Sequence, residues 1–251
     1  MLSIKSGQEW LDRLMPEGLP TQTSTLISGP GGSGKPLIGE TIVSAWLRQG
    51  GSTVFMSLQY PSRDFIFSSL KTVTGLDLSD YLEKVAFISL DATIDGIDPL
   101  HDHAFKANLV KPDIWDAAIE EGCSLVPEAG SGILVFGSAL NLLLFSPTYE
   151  DEVFEAMEKT IRDDKRRTYM FSVSTSAKKE KITRLETAAD NLMISRSEKK
   201  PFRLFMHIVR LKDAPYLTDE VTVPIPPEAL ADIKKVAEHS RKRVIPLISK
   251  I

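Results

Sequence analysis

The sequence predicts an α/β fold with a mostly parallel central sheet flanked by helices. Strand-like and helix-like segments alternate through most of the chain, which is typical of parallel strands joined by crossover helices. A glycine-rich turn at residues 29–36 joins an apolar strand to a helix. With 251 residues and 42% hydrophobic content, the chain can bury a full core, and its length favours one large domain.

The N-terminal half contains three apolar strand candidates, at residues 24–28, 53–58 and 85–90. A helix follows the glycine-rich turn and runs to about residue 49, where Gly50 and Gly51 end it. A second helix is predicted over residues 64–73. Residues 91–112 have mixed polarity and no clear period, so we expect a long loop there with room for a short helix.

The C-terminal half continues the alternation and then changes. We predict helices at residues 112–122 and 152–166, and strands at residues 133–136 and 168–173. Three further strand candidates lie at residues 191–196, 202–211 and 220–223. Polar or proline-containing turns separate them, which favours an antiparallel meander at one edge of the sheet. The chain is therefore divided into a domain at residues 1–226 and a basic helical tail at residues 227–251. The basic residues in the first part of this tail are Lys234, Lys235, Arg241, Lys242 and Arg243.

The composition of the chain argues against several classes of protein. The 30 basic and 34 acidic side chains give a net charge of -4, without the positive excess of a chain dominated by nucleic-acid binding. The single cysteine, Cys123, excludes an internal disulfide and suits a reducing compartment. The N-terminus lacks the apolar core of a secretion signal, and the longest apolar stretch, residues 133–145, is too short to span a bilayer. We therefore expect a soluble, cytoplasmic protein with no membrane partner.

The turn at residues 29–36 has the sequence GPGGSGKP, which nearly matches a phosphate-binding P-loop. Glycines let consecutive backbone N–H groups surround phosphate oxygens, and the following helix directs its positive end at the same anion. Lys35 stands where a P-loop lysine contacts the terminal phosphates. The predicted nucleotide-binding residues are Gly29, Pro30, Gly31, Gly32, Ser33, Gly34, Lys35 and Pro36.

Pro36 occupies the position where a P-loop has serine or threonine. That hydroxyl normally ligates magnesium, and proline removes both the hydroxyl and one backbone N–H donor. Proline is tolerated in the first turn of a helix, so the fold is expected to survive while binding weakens. We therefore expect weak binding of ATP or ADP, and a role for magnesium is doubtful.

The segment around the loop resembles the opening of the KaiC-like branch of the RecA-fold ATPases. In that branch a Gly-x-x-x-Leu-Asp element and a Gly-hydrophobic-Pro turn precede the loop, and the matching residues here are Gly7, Leu11, Asp12, Gly18 and Pro20. The similarity continues through most of the chain before the tail. It implies a RecA-like P-loop NTPase core.

Two carboxylates that the resemblance implies are absent from their expected places. The second strand of these ATPases ends in glutamate, which activates the attacking water, and here Gln59 stands in this region. A later strand ends in an aspartate that holds the magnesium shell, and here Gly137 takes that place, followed by Ser138. Glu40 and Asp64 are nearby in sequence, but we expect them to be solvated helix charges. No catalytic residue and no metal ligand is therefore assigned.

Arg210 and Lys212 are candidates for a contact with a neighbouring subunit. Their spacing is similar to that of the Lys-x-Arg pair which KaiC-like rings place against a neighbour's nucleotide, with the two residue types exchanged. Alternate residues of an edge strand also face solvent together, which is the plainer explanation of the same spacing. The resemblance thus allows a homo-oligomer such as a hexameric ring without requiring it.

The missing hydroxyl, glutamate and aspartate serve one reaction, so their joint loss argues against ordinary magnesium-dependent hydrolysis. The leading hypothesis is a catalytically impaired, KaiC-like regulatory or scaffold protein that binds nucleotide and acts with a protein partner in signal transduction. The first alternative is an active ATPase that recruits carboxylates from residues 91–102 or from a partner subunit. The second is a nucleotide-independent module that binds protein or, less favoured, nucleic acid through the basic tail.

Overall fold

The computed structural model describes residues 2–224, 226, 229, 232, 235, 236 and 238–251, and only the backbone of Lys199. The longer helices are α1 (Glu9–Leu14), α2 (Lys35–Arg48), α3 (Arg63–Thr74), α4 (Pro112–Ser124), α5 (Glu150–Asp163) and α6 (Lys179–Ala188). Tighter 3-10 turns cover Leu78–Lys84 and Leu140–Phe145. Helical turns at Ser240–Val244 and Ile245–Ile248 end the chain. None of the described helices is both long and apolar enough to cross a lipid bilayer.

The strands are β1 (Ser3–Ile4), β2 (Leu19–Pro20), β3 (Ser24–Gly29), β4 (Ser52–Ser57), β5 (Val85–Leu90), β6 (Ile97–Pro99), β7 (Ala104–Ala107), β8 (Ile133–Gly137), β9 (Thr168–Ser174), β10 (Asn191–Lys199), β11 (Phe202–Arg210) and β12 (Val221–Val223). One ten-stranded sheet has the order β12-β11-β10-β3-β9-β8-β4-β5-β7-β6, and β1 pairs with β2 in a small separate sheet.

The middle of the large sheet is parallel, from β10 through β3, β9, β8, β4 and β5 to β7. Every residue of β3 and β8 is buried, as expected for strands that are covered by helices on both faces. The predicted α/β class, with a mostly parallel sheet flanked by helices, is therefore confirmed.

Antiparallel pairs lie at both edges of the sheet rather than at one. The predicted meander is present as β10, β11 and β12. At the opposite edge, β6 pairs antiparallel with β7. The prediction of a long loop at residues 91–112 is therefore wrong where these two short strands lie, because their hydrogen bonds come from pairing with β5 and with each other rather than from a local pattern.

The helices cover the sheet in two layers. Leu11, Ile42 and Trp46 belong to the core on the face of α1, α2 and α3. Trp115 and Phe154 belong to the core on the face of α4, α5 and α6. Both tryptophans are fully buried, and their indole N–H groups donate to Gly132 O and Thr160 Oγ1 respectively, each at 2.9 Å.

α1, α5 and α6 differ from the prediction, and α1 was not predicted. α5 begins two residues earlier than predicted and ends three residues earlier, because Asp164 leaves helical geometry and its carboxylate accepts hydrogen bonds from Arg166 and Tyr169. α6 was not predicted at all. Its sequence is mostly polar, and only Ile182 and Leu185 are buried, so it offers a weak apolar period.

The described part of the tail lies on the body of the protein. Val236 packs in the core between the sheet and α1, α2 and α3. Ile248 packs in the core on the opposite face, between the sheet and α4, α5 and α6. The hydroxyl of Ser146 donates to the carbonyl oxygen of Ile251 at 2.7 Å. The start of the predicted tail helix, with Pro227 and Lys234, lies outside the described residues.

Candidate functional site

Four parallel strands end around one cavity at the carboxyl edge of the large sheet, where open α/β sheets bind their ligands. β3 leads into the glycine-rich loop, β4 leads to Gln59, β8 leads to Ala139, and β9 ends at Ser174. Residues from all four places line a cavity of about 550 Å³. The structure therefore brings Gln59 and the loop residues from Gly31 to Pro36 together.

The loop backbone requires glycine at three positions, and one is Gly29, whose φ is +153° and whose added Cβ would lie 2.1 Å from Ser195 O. Gly32 and Gly34 have φ values of +77° and +64°, in the left-handed region that other residues rarely adopt. At Gly34 an added Cβ would lie 1.9 Å from Cδ1 of Leu204, so a side chain there would displace the Leu204 side chain. Local backbone geometry and packing thus both fix the shape of the loop.

The loop keeps backbone donors unpaired at the start of α2. Within the described residues, the N–H groups of Gly32, Ser33 and Gly34 donate to no protein acceptor. The N–H group of Gly31 donates to Ser176 Oγ at 3.1 Å. Unpaired N–H groups at the start of a helix form an anion site, so the loop fits a phosphate group.

Lys35 is buried against the loop, with only 6% of its surface exposed. Its ammonium donates to the carbonyl oxygens of Gly29 at 2.9 Å and Pro30 at 2.7 Å, and to Ser33 Oγ at 3.1 Å. Burial lowers the pKa of Lys35 to about 8, so the ammonium is mostly charged at neutral pH. A bound phosphate would compete with these carbonyl oxygens for the same donor.

Gln59 and Ser138 meet at the ends of β4 and β8. The amide nitrogen of Gln59 donates to Ser138 Oγ at 2.7 Å, and both side chains are buried. An amide can orient a water molecule but does not accept its proton at neutral pH. The pair therefore supplies hydrogen bonds and no general base at this place.

Glu40 is not the solvated helix charge that we expected. It lies on α2 with 1% of its surface exposed and lines the cavity. Its carboxylate accepts from Tyr60 Oη at 3.0 Å and from Ser69 Oγ at 3.0 and 2.9 Å. Burial raises the pKa of Glu40 to about 7, and the hydrogen bonds from Ser69 and Tyr60 partly oppose this. Asp64, by contrast, is exposed as expected.

Tyr60 lies between this carboxylate and the end of β8. Tyr60 contacts both Glu40 and Ser138, and Ser138 in turn accepts from Gln59. Burial and the neighbouring carboxylate raise the pKa of the Tyr60 hydroxyl well above its usual value. Tyr60 therefore stays protonated and holds Glu40 at the cavity wall.

The donors in this region do not fit a magnesium ion. Pro36 lies in the first turn of α2 and has no hydroxyl, and β8 ends at Gly137, which has no side chain. Glu40 is already held by Tyr60 and Ser69. No group of three or more His, Cys, Asp or Glu side chains is placed to hold a metal among the described residues.

Arg210 and Lys212 are bonded within their own chain. The guanidinium of Arg210 donates to the carbonyl oxygens of Glu186 and Ala189, each at 2.6 Å, at the end of α6. The ammonium of Lys212 lies 3.0 Å from Asp190 Oδ1. These bonds compete with any contact in trans, so the contact stays a prediction.

Several residues at the cavity were not predicted as site residues. Glu40 was considered and set aside, and Asn141 accepts from the backbone N–H of Ser174 at 2.9 Å, which ties the turn after β8 to β9. Ser240 and Arg241 of the tail also line the cavity. The Gly-rich loop carried a local signal, whereas these residues are brought to the cavity by contacts between distant segments.

The fold and the loop define a P-loop protein of the RecA type. The model of the KaiC ATPase family matches residues 4–118, which include α1, the loop, α2 and β4. No curated protein matches the chain. The resemblance to the KaiC-like branch is confirmed by the family model and by the structures described next.

Two solved structures share the fold over nearly the whole chain. One is a KaiC-like protein from Pyrococcus horikoshii, with 16% identity, a TM-score of 0.67, and coverage of 90% of this chain and 95% of that one. The other is the flagellar accessory protein FlaH from Methanocaldococcus jannaschii, with 13% identity, a TM-score of 0.66, and coverage of 90% and 96%. The chain therefore shares the RecA-like fold of these two proteins.

Proposed function

We propose that this chain binds ATP or ADP weakly at the glycine-rich loop, hydrolyses it poorly, and acts as a regulatory or scaffold protein. One observation carries the proposal. The loop keeps unpaired N–H donors and a charged Lys35, while the neighbouring strand ends carry the neutral residues Gln59, Gly137 and Ser138. Phosphate binding needs the N–H donors and Lys35. Hydrolysis needs a general base and metal-binding carboxylates where Gln59, Gly137 and Ser138 stand.

Typical free energies support the distinction between retained nucleotide binding and impaired hydrolysis. Losing a hydrogen bond to a charged group such as phosphate typically costs about 1.5–3 kcal/mol of binding. The absence of a general base costs about 10²–10⁴-fold in rate, and the absence of a metal clamp adds several kcal/mol to the barrier. Nucleotide binding is therefore weakened by Pro36 alone. Hydrolysis lacks three groups together, namely the loop hydroxyl, the catalytic glutamate and the magnesium-binding aspartate.

Titration calorimetry with ATP and with ADP, each in magnesium and in EDTA, tests the proposal. We expect weak binding that changes little when magnesium is removed. Lys35→Ala is expected to weaken it by about 10-fold or more, because one charged donor to the phosphates is lost. Lys5→Ala, which changes an exposed lysine away from the cavity, is the matched control.

Phosphate release by the same preparations tests the second half of the proposal. Fast, magnesium-dependent release that disappears in Lys35→Ala would overturn it. The active-ATPase alternative has one observation in its favour, since Glu40 is a carboxylate on the cavity wall, whereas the aspartates of residues 91–102 are not among its lining residues. Turnover that is lost in Glu40→Gln would support that alternative.

A further inference from the structure

The C-terminal segment, here the described residues from 236 to 251, crosses the opening of the cavity. One of its ends is fixed by Val236, which packs in the core beside α2. The other is fixed by Ile248, which is fully buried in the opposite core, and by the Ile251 carbonyl, which accepts from Ser146 Oγ at 2.7 Å. The two anchors lie on opposite faces of the sheet, so the residues between them span its carboxyl edge.

Between the anchors, the segment forms one wall of the cavity. Ser240, Arg241 and Ile245 line it together with Lys35 and the rest of the loop from Gly31. The cavity keeps a volume of about 550 Å³ with the segment in place. Ligand pockets commonly have volumes of about 300–1,000 Å³. The segment therefore lines the cavity without filling it.

Arg241 is the cation that this wall contributes. Its neighbour Lys242 is paired with Glu238, while within the described residues no carboxylate is paired with Arg241. Among the lining residues that the structure describes, the other cation is Lys35, and the carboxylates are Glu40, which is held by Tyr60 and Ser69, and Asp232. A planar guanidinium binds phosphate oxygens through two parallel hydrogen bonds.

We infer that Arg241 is a nucleotide-binding residue, supplied by the same chain, whose guanidinium contacts the phosphates of a nucleotide held by the loop at residues 29–36. This inference rests on the proposed nucleotide binding. Lys35 and Arg241 then provide the positive charge that a magnesium ion provides in sites with a complete set of metal ligands. The C-terminal segment is accordingly part of the binding site rather than an appendage.

Titration calorimetry of AMP, ADP and ATP against the full chain tests the inference. We expect Arg241→Ala to weaken ATP binding by about 10-fold, because a charged hydrogen bond to phosphate is worth about 1.5–3 kcal/mol. The loss of affinity caused by Arg241→Ala should be smaller for ADP than for ATP, and smallest for AMP, because fewer phosphates remain for the guanidinium to contact. Arg241→Lys should restore part of the affinity, since it keeps the charge without the planar geometry. Arg243→Ala is the matched control, because Arg243 is exposed two residues away and does not line the cavity.

The outcomes separate the inference from the proposed function. If wild type binds, Lys35→Ala loses binding, and Arg241→Ala behaves like Arg243→Ala, then the inference is overturned and the proposed function stands. Tighter binding by Arg241→Ala also overturns it, because the segment would then obstruct the cavity. An equal loss for AMP and ATP would exclude a contact with the β- and γ-phosphates, which AMP lacks, and would overturn the inference. If wild type does not bind nucleotide at all, the proposed function fails and the inference fails with it.

Discussion

Replacing Glu40 by glutamine should change how stability depends on pH. Glutamine has nearly the same shape, and its side-chain oxygen can still accept from Tyr60 and Ser69, but it carries no charge at any pH. In the wild type the carboxylate is fully buried, and its pKa is raised to about 7. The substitution therefore removes one buried titration while keeping the packing of α2 against α3.

The sign and size of the effect follow from the raised pKa. The folded protein holds the Glu40 proton more tightly than the unfolded chain does, so ionisation destabilises the fold. One pKa unit corresponds to about 1.4 kcal/mol, so the change from 4.5 to about 7 corresponds to about 3 kcal/mol. The free energy of unfolding of the wild type should lose this amount as pH rises through that range, whereas the variant should not lose it.

Urea titrations at several pH values from 4.5 to 8 measure this difference. We expect the variant to gain stability relative to the wild type by about 1.4 kcal/mol for each pH unit until the difference levels off above pH 7. Other titrating groups contribute equally to both proteins and cancel. Glu121→Gln, which changes an exposed glutamate on α4, should show no such slope. A constant difference between wild type and Glu40→Gln at all pH values would refute the reasoning.

The remaining predictions concern the core. Gly39→Ala should destabilise the protein by about 1–3 kcal/mol, since a Cβ there would lie 2.3 Å from Cε2 of the buried Phe136, and a urea midpoint equal to that of wild type would contradict this close contact. Cys123 should resist Ellman's reagent in the folded protein, because it is buried and burial raises its pKa to about 12. Labelling as fast in native buffer as in denaturant would show that the thiol is accessible.

The sequence was sufficient to predict the parallel sheet, the glycine-rich loop and the family resemblance. The buried strands are continuous apolar runs, and the loop needs glycine at Gly32 and Gly34 because of their own backbone angles, so both features can be recognised locally. The family resemblance also drew attention to the neutral residues Gln59 and Gly137 at the ends of their strands. The structure places these strand ends around one cavity, as the order of parallel strands requires.

Only the tertiary structure revealed that Glu40 is buried and hydrogen-bonded and has a raised pKa. A glutamate on a helix is ordinarily solvated, and nothing adjacent to it in sequence indicates that Tyr60 and Ser69 donate to its carboxylate. The pairing of β6 with β7 and the course of the C-terminal segment over the cavity were decided in the same way. Residue patterns report on local conformation, whereas burial, pKa and cavity walls depend on segments that meet only when the chain is folded.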